Sequence, residues 1–243
     1  MRSVRFYHPF STSRSRQHLL ALAGILLLPL VLLGIFSAYT KINFVTLLND
    51  LGISLVRMFW ATIISIVLGW LFAVLFYHGR RAKIALPIFD VLQSLPTSAA
   101  LPLAVIYFGP SNFVVIVSLI FAIIWPIFFS IISSLKLIRH DWVEAVEVSR
   151  IKGFDYLRYF LVPVTIPGLI TGTIIGLGDG WEALVATEII VHVHTGLGSF
   201  FNMVSRNPEA TVFGIICLLS VIFTINKIIW LPLLEWSHKI MEE

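Results

Sequence analysis

Charged residues are scarce in this chain: 12% of its 243 residues are Asp, Glu, Lys or Arg, whereas 58% are hydrophobic. A soluble domain carries about a quarter charged residues, so this composition excludes an ordinary globular protein in water. Cysteine is nearly absent, and because Cys217 stands alone, a disulfide within the chain is excluded. The Gly-x-x-x-x-Gly-Lys-Ser/Thr loop that cradles phosphates is also missing, so we expect no ATP bound by this chain.

Long hydrophobic runs dominate what is present. A helix needs about 20 apolar residues to cross the hydrocarbon core of a bilayer. Backbone groups in lipid must be satisfied within their own segment, which favours helices over open strands. We therefore predict an all-α membrane protein with about six transmembrane helices, at residues 19–38, 52–77, 84–107, 112–135, 164–190 and 211–231.

Lys and Arg cluster in alternate loops and give the chain a net charge of +4. The positive-inside rule then predicts a multi-pass protein of the cytoplasmic (inner) membrane with both termini in the cytoplasm. Retention of Lys and Arg on the cytoplasmic side of the membrane explains the net positive charge. The chain is therefore expected to contact lipid, and no nucleic-acid partner is predicted. Arg57, near the outer start of the second helix, is expected to snorkel to the interface. The predicted divisions are a basic tail (1–18), a first helix with its outer loop (19–51), a transmembrane core (52–235) with a cytoplasmic loop (136–163), and a short tail (236–243).

Proline and glycine mark two of the predicted helices. Pro96 and Pro102 each remove a backbone donor from the third helix and are expected to bend it, either as a packing kink or as a gating hinge. In the fifth helix, glycines recur every fourth residue and predict a close helix contact, within the chain or between two copies. The residues assigned to hinges and packing are Pro96, Pro102, Pro163, Pro167, Gly172 and Gly176.

Three acids lie in the fifth predicted helix: Asp179, Glu182 and Glu188. A carboxylate at the bilayer centre costs about 2.5–3.5 kcal/mol, so such residues usually face a bundle interior or a wet cavity. Asp179 and Glu182 share one helical face, and Glu188 shares another with Trp181. We assign these four residues to a solute pathway; structural bonds to polar neighbours are the alternative. His192 and His194 have no third ligand nearby and predict no metal site.

Residues 136–163 form the longest polar stretch between two apolar runs. Apolar residues recur there at roughly helical intervals with charges between them, which predicts one or two short amphipathic helices broken near Gly153. Such helices suit either a soluble partner protein or lipid head groups, and the pattern leaves both open.

The same stretch resembles the "EAA" signature of ABC importer permeases, which reads Glu-Ala-Ala, three residues, Gly, nine residues, Ile, one residue, Leu-Pro. Glu144-Ala145-Val146 takes the first place and Val162-Pro163 falls at the matching distance. The chain departs from the signature at Val146, at Arg150 in place of Gly, and at Phe160 in place of Ile, and its glycine comes three residues late, at Gly153. The flanks resemble permeases of the nitrate/sulfonate/taurine type at Ser54-x-x-Arg57, Asp90, Pro96, Pro102, Phe108-Gly109, Pro163, Pro167-Gly168, Trp181, Glu188 and Thr195-Gly196-Leu197-Gly198.

The resemblance implies a type I ABC importer permease fold and a transporter subunit that is not itself an enzyme. It implies a second permease copy, two ATPase subunits that carry ATP and Mg, and an extracytoplasmic solute-binding protein. The residues it places against the ATPase are Glu144, Ala145, Val146, Glu147, Arg150, Gly153, Phe154 and Asp155. Many such permeases carry anions, but Asp179 and Glu182 also leave a cationic or neutral heterocyclic solute open. An ATP-independent transporter or channel with an acidic relay in the fifth helix, or a membrane scaffold, are the alternatives.

Overall fold

The computed structural model describes residues 15–138 and 140–242. All regular elements in this part of the chain are helical, which confirms the predicted all-α architecture. Two five-residue π-helical turns, Leu157–Leu161 and Asn226–Trp230, join α7 to α8 and α10 to α11. The α-helices are α1 (Ser15–Thr40), α2 (Phe44–Phe76), α3 (Gly79–Gln93), α4 (Thr97–Phe108), α5 (Asn112–Lys136), α6 (His140–Val148), α7 (Phe154–Tyr156), α8 (Val162–Val191), α9 (Leu197–Val204), α10 (Pro208–Ile225) and α11 (Leu231–Glu242).

Five helical spans are long and apolar enough to cross a membrane, and they correspond to five of the six predicted spans. The second begins earlier than predicted, at Phe44, because Asn43 caps it: the side-chain oxygen accepts a hydrogen bond of 2.8 Å from the Val45 N–H. The spans are Leu22–Thr40, Phe44–Phe76, Asn112–Lys136, Phe154–Val191 and Pro208–Trp236.

The remaining predicted span is broken. Instead of one helix over 84–107, α3 and α4 meet at an angle of 85°. The break coincides with Pro96, which precedes the first residue of α4 and disfavours helical geometry at Leu95. Pro102 lies within α4, which continues through it. Of the two expected bends, the one at Pro96 is therefore the break in the chain path.

The centre of the fold is the contact of α8 with α5. A Cβ added to Gly172 would lie 2.6 Å from the Ile127 Cα, and one added to Gly176 would lie 2.8 Å from the Ile123 carbonyl oxygen. Only glycine permits this approach, and both isoleucines have no exposed surface. The glycine spacing therefore reflects a close helix contact within one chain.

A cluster of aromatic side chains, separate from the α5–α8 contact, joins α1 to α9 and α10. Phe36 has no exposed surface and packs edge-on against Phe200 of α9 and Phe213 of α10, with ring centroids 5.0 and 5.4 Å apart. The Thr224 hydroxyl of α10 donates a hydrogen bond of 3.0 Å to the Ile25 carbonyl of α1. These contacts hold α1 against the side of the bundle and leave α5 and α8 at its centre.

Candidate functional site

The segment 136–163 is broken near Gly153, as predicted: the short helix α6 precedes residues 149–153, and the three residues of α7 after them continue through the π-helical turn into α8. Apolar side chains stand out from it: Val148 is 82% exposed and Phe154 is 71% exposed. Glu144, Arg150 and Asp155 are exposed as well. Ala145 and Glu147 belong to α6, but their side chains lie outside the described set. The segment thus presents a mixed charged and apolar surface after the end of α5.

Two residues in this segment have the left-handed backbone conformation: Arg150, with φ +53°, and Gly153, with φ +62°. Arg150 stands where the EAA signature has glycine, the residue that adopts such a φ without steric cost. The departure from the signature therefore changes the side chain while the backbone keeps a conformation that glycine favours. The turn between α6 and α7 rests on these two positions.

A cavity of about 320 Å³, here called the central cavity, lies level with the middle of α5 and α8. Three elements form its wall: the break between α3 and α4, one face of α5, and one face of α8. The lining residues are Gln93, Ser94, Leu95, Pro96, Thr97, Ser98, Leu101, Phe121, Ala122, Trp125, Pro126, Asp179, Glu182, Ala183, Ala186 and Thr187.

Asp179 and Glu182 both line the central cavity, and both side chains are exposed. Among residues 15–138 and 140–242, neither carboxylate has a hydrogen bond or an ion pair. The structural alternative, bonds to polar neighbours on other helices, therefore has no support within one chain. Asp179 and Glu182 lie on one face of α8, as their spacing predicts, and this face borders the central cavity.

Glu188, two turns further along α8, has the opposite environment. Its carboxylate is fully buried and forms an ion pair of 2.5 Å with Arg57 of α2, which is 5% exposed. The Ser54 hydroxyl donates to the same carboxylate at 2.8 Å. Arg57 also donates to the Asn112 side-chain oxygen at 2.6 Å, which brings in the first residue of α5. We call this group, together with Asp50 and Thr195, the Arg57 cluster.

The loop after α8 closes over the Arg57 cluster through its backbone. The Gly198 N–H donates to Glu188 at 2.9 Å, the Leu197 N–H donates to Ser54 at 2.9 Å, and the Gly196 N–H donates to Asp50 at 3.0 Å. Gly196 has φ +110°, and a Cβ there would lie 2.6 Å from an Arg57 nitrogen. The loop can reach the ion pair only because this position carries no side chain.

Two sequence-based assignments change here. The prediction that Arg57 snorkels to the interface is wrong, because its guanidinium is buried and paired. Glu188 and Trp181 were assigned to a pathway, but both are buried and neither lines the central cavity. Sequence reasoning missed Asp50. It lies four residues before Ser54 and seven before Arg57, which places all three on one face of α2, a signal that could have found it.

A second, larger cavity of about 810 Å³ lies beside the C-terminal half of α5 and the N-terminal half of α8. Trp142 of α6 lines it together with Pro163 and Pro167 at the foot of α8. The predicted packing residues therefore divide into two groups. The prolines border this cavity, whereas Gly172 and Gly176 lie against α5. The cavity wall thus contains residues of both the segment 136–163 and α8.

The two histidines of the 192–194 loop are exposed, and His192 ends α8 in a left-handed conformation. Within residues 15–138 and 140–242, no three His, Cys, Asp or Glu side chains come together as metal ligands. The loop therefore carries no assembled metal site in the described part of the chain.

Comparison with known proteins gives a family match over residues 65–229, to the family described as "Binding-protein-dependent transport system inner membrane component". This range contains the break at Pro96, the segment 136–163 and the whole of α8. It therefore covers both cavities and the Glu188 side of the Arg57 cluster.

Three relatives illustrate the similarity. The nitrate import permease of Leptolyngbya laminosa is 32% identical over 47% of this chain and 40% of the relative. The taurine transport system permease of Escherichia coli (strain K12) is 30% identical over 63% of this chain and 56% of the relative. The bicarbonate transport system permease of Synechococcus elongatus is 26% identical over 59% of this chain and 56% of the relative. The chain thus spans about half of the length of these relatives.

Proposed function

Because the chain belongs to the family of binding-protein-dependent transport system inner membrane components, we propose that it forms the solute pathway of an ATP-driven importer. Family and fold together make it an ABC importer permease, a multi-pass protein of the inner membrane with the all-α fold of type I permeases. In our proposal a separate binding protein delivers the solute on the outer side. Two ATPase subunits, which hold ATP and Mg, supply the energy.

The observation that carries the proposal is the exposed acidic face of α8. Asp179 and Glu182 lie near the middle of a membrane-spanning helix and have no partner in the described chain. Facing lipid would cost about 2.5–3.5 kcal/mol for each carboxylate. This face therefore belongs against water or another protein surface, as a pathway wall requires.

A second copy of the chain is the partner that we propose for this face. In one chain the α8 glycines at every fourth position from Gly168 to Gly180 already pack against α5, whereas the adjacent face with the two acids is open. Two copies related by a twofold axis would enclose the open faces between them. Solute would pass between the copies, and lipid would contact the remaining apolar surface.

Coupling to the ATPase is assigned to the segment 136–163. Its exposed residues Val148 and Phe154 suit a groove on a soluble partner, and Glu144 lies on the exposed surface of α6. Trp142 borders the second cavity beside Pro163 and Pro167, so a shift of α6 would reach the foot of α8. In our proposal this route converts ATPase closure into a change of access.

Orientation follows from charge. The exposed basic residues Arg80, Arg81 and Lys83 at the start of α3, and those of the segment 136–163, favour the cytoplasmic side. Both termini are then cytoplasmic, and the Arg57 cluster faces the outer side, where the binding protein would dock.

The test is reconstitution in liposomes with the candidate ATPase and binding protein. We expect solute uptake that requires ATP, and ATP hydrolysis that the loaded binding protein stimulates. An intact complex in which no solute stimulates hydrolysis would contradict import. Solute flux through the chain alone, without nucleotide, would favour the alternative of an ATP-independent transporter or channel with Asp179 and Glu182 as its relay.

A charge reversal tests the coupling segment. Glu144→Arg should uncouple hydrolysis from uptake or release the ATPase, because it reverses a charge on the proposed contact surface. Glu235→Arg, an equal reversal at an exposed position of α11, serves as the matched control. Uptake that is unchanged in Glu144→Arg would remove Glu144 from the coupling role.

A further inference from the structure

The central cavity has walls of unlike chemistry, and this restricts what it can bind. On the α8 side stand the carboxylates of Asp179 and Glu182, which supply only acceptors when ionised. Like charges one turn apart repel each other, so a ligand that carries positive charge between them gains from both. An anion placed there meets repulsion from both.

A second observation points to a missing partner at the same place. The Trp125 indole N–H and the Thr187 hydroxyl oxygen are buried and have no hydrogen-bond partner among the described residues. Trp125 is 8% exposed and Thr187 is not exposed at all, and both residues belong to the wall of the central cavity. Buried polar groups in native structures almost always have a partner, so each unpaired group calls for an explanation. Both atoms are covered in this structure, so a polar ligand in the cavity would become their partner only if these side chains turned toward it.

The part of the wall formed by the break between α3 and α4 favours an electron-rich group. The break places the N-terminus of α4, a helix of 12 residues, beside the cavity, and no side chain caps it. Free N–H groups and the positive end of the helix dipole lie at this end. The hydroxyl groups of Thr97 and Ser98 stand in the same wall, whereas the Ser94 hydroxyl already donates to the Val91 carbonyl at 2.7 Å. Acceptors on one side and donors on the other define a polarised site.

We propose that the central cavity binds a small nitrogenous solute with two unlike ends. A cationic amine, or the N–H groups of an amino-heterocycle, faces Asp179 and Glu182, and an acceptor atom faces the α4 N-terminus with the hydroxyl groups of Thr97 and Ser98. A volume of about 320 Å³ restricts the solute to small molecules. Simple inorganic anions are excluded as the preferred ligand. The inference rests on the proposed pathway and adds the chemical class of its solute.

Charge-selective thiol labelling tests this in the full chain in lipid nanodiscs. Cys217, the one native cysteine, is replaced by serine. Ser98→Cys places a thiol in the central cavity, and Ser133→Cys places one in the second cavity, whose lining contains no acid. Each is labelled with a trimethylammonium-ethyl or a sulfonato-ethyl methanethiosulfonate, and the ratio of the two rates is measured.

We expect the cationic-to-anionic ratio at residue 98 to exceed that at residue 133 by about tenfold, the lower range for focused electrostatic attraction. Asp179→Asn with Glu182→Gln should bring the ratio at residue 98 down to that of the control. Equal ratios at the two positions, or a ratio that survives loss of both acids, would overturn the proposal. Absence of any reaction at residue 98 would also overturn it, since the cavity would then be dry.

A series of matched solutes tests the two-ended ligand. γ-Aminobutyrate, butylamine and butyrate share a four-carbon chain and differ only in their ends. We expect protection of the residue 98 thiol in that order, strongest first. Protection by butyrate that equals or exceeds that of the amines, or no protection by any of the three up to their solubility, would overturn the proposal. No ATPase or binding protein is present, so a failure of coupling leaves these results unaffected and the two hypotheses fail separately.

Discussion

The carboxylates in two stretches of α8 have opposite environments: one is buried and paired, and the other two are exposed and unpaired. Glu188 is sealed from solvent, paired with Arg57 and bonded to Ser54 and the Gly198 N–H. Asp179 and Glu182, two to three turns earlier, are exposed and unpaired within the described chain. The same residue type in one helix therefore serves two purposes. A buried acid with full hydrogen bonding fixes the fold, whereas an unpaired one at a cavity is available to a solute.

The buried and the exposed acids of α8 also differ in whether they match the pattern of the nitrate/sulfonate/taurine-type permeases. Ser54, Arg57, Glu188 and the loop at 195–198 match the family pattern, and they meet in one buried cluster. Asp179 and Glu182 do not match it, and they line the cavity. Several residues of the family pattern thus form the buried cluster, although Pro96 of that pattern also lines the cavity.

The largest effect is expected from Glu188→Ala. It leaves the Arg57 guanidinium buried without its partner, and breaking such a pair costs about 3–5 kcal/mol. Thermal unfolding of the purified chain in detergent, followed by circular dichroism, should show a large fall in the melting temperature. A melting temperature like that of the unmodified chain would show that the Arg57 cluster does not hold the fold.

A smaller loss is expected where α8 closes on α5. Gly172→Ala forces a methyl group to within 2.6 Å of the Ile127 Cα, and overpacking of this kind costs about 1–3 kcal/mol. Gly178→Ala is the matched control, because an added Cβ there meets nothing within 4 Å. Alanine is favoured over glycine in a helix by up to about 1 kcal/mol, so the control should melt at the same temperature or slightly higher. Equal losses in both variants would contradict the one-sided packing of α8.

The smallest effect is expected from Asp179→Ala. Removing an exposed side chain without a partner should change the free energy of unfolding by no more than about 0.5 kcal/mol. The comparison with Glu188→Ala is then between two acid-to-alanine changes in one helix, measured by the same melting experiment. A loss for Asp179→Ala as large as that for Glu188→Ala would mean that the open acid has a structural partner, and the distinction between the two stretches would disappear.

Local patterns predicted much of this arrangement. The apolar runs located five spans, Pro96 marked the break, and the glycine spacing in α8 indicated a close contact. The spacing of Asp179 and Glu182 placed them on one face. Each of these follows from chain geometry over a few residues, which a sequence displays directly.

The Arg57 cluster could not be predicted in the same way. Arg57 and Glu188 are separated by 131 residues, and their pairing depends on how α2 and α8 pack around α5. An arginine near a predicted helix end fits snorkelling equally well, and only tertiary structure decides. Glu188 was placed in a pathway for the same reason: helical position gives the direction of a side chain, but its burial depends on what covers it.

The break at Pro96 has a consequence for the surrounding bilayer. With 12 residues, α4 is only about 18 Å long, well short of the roughly 30 Å of the hydrocarbon core. The bend of 85° prevents α3 from extending it in a straight line. Neither helix therefore crosses the hydrocarbon core alone in a straight line, and backbone groups left unpaired at the break need protein or cavity water as hydrogen-bond partners.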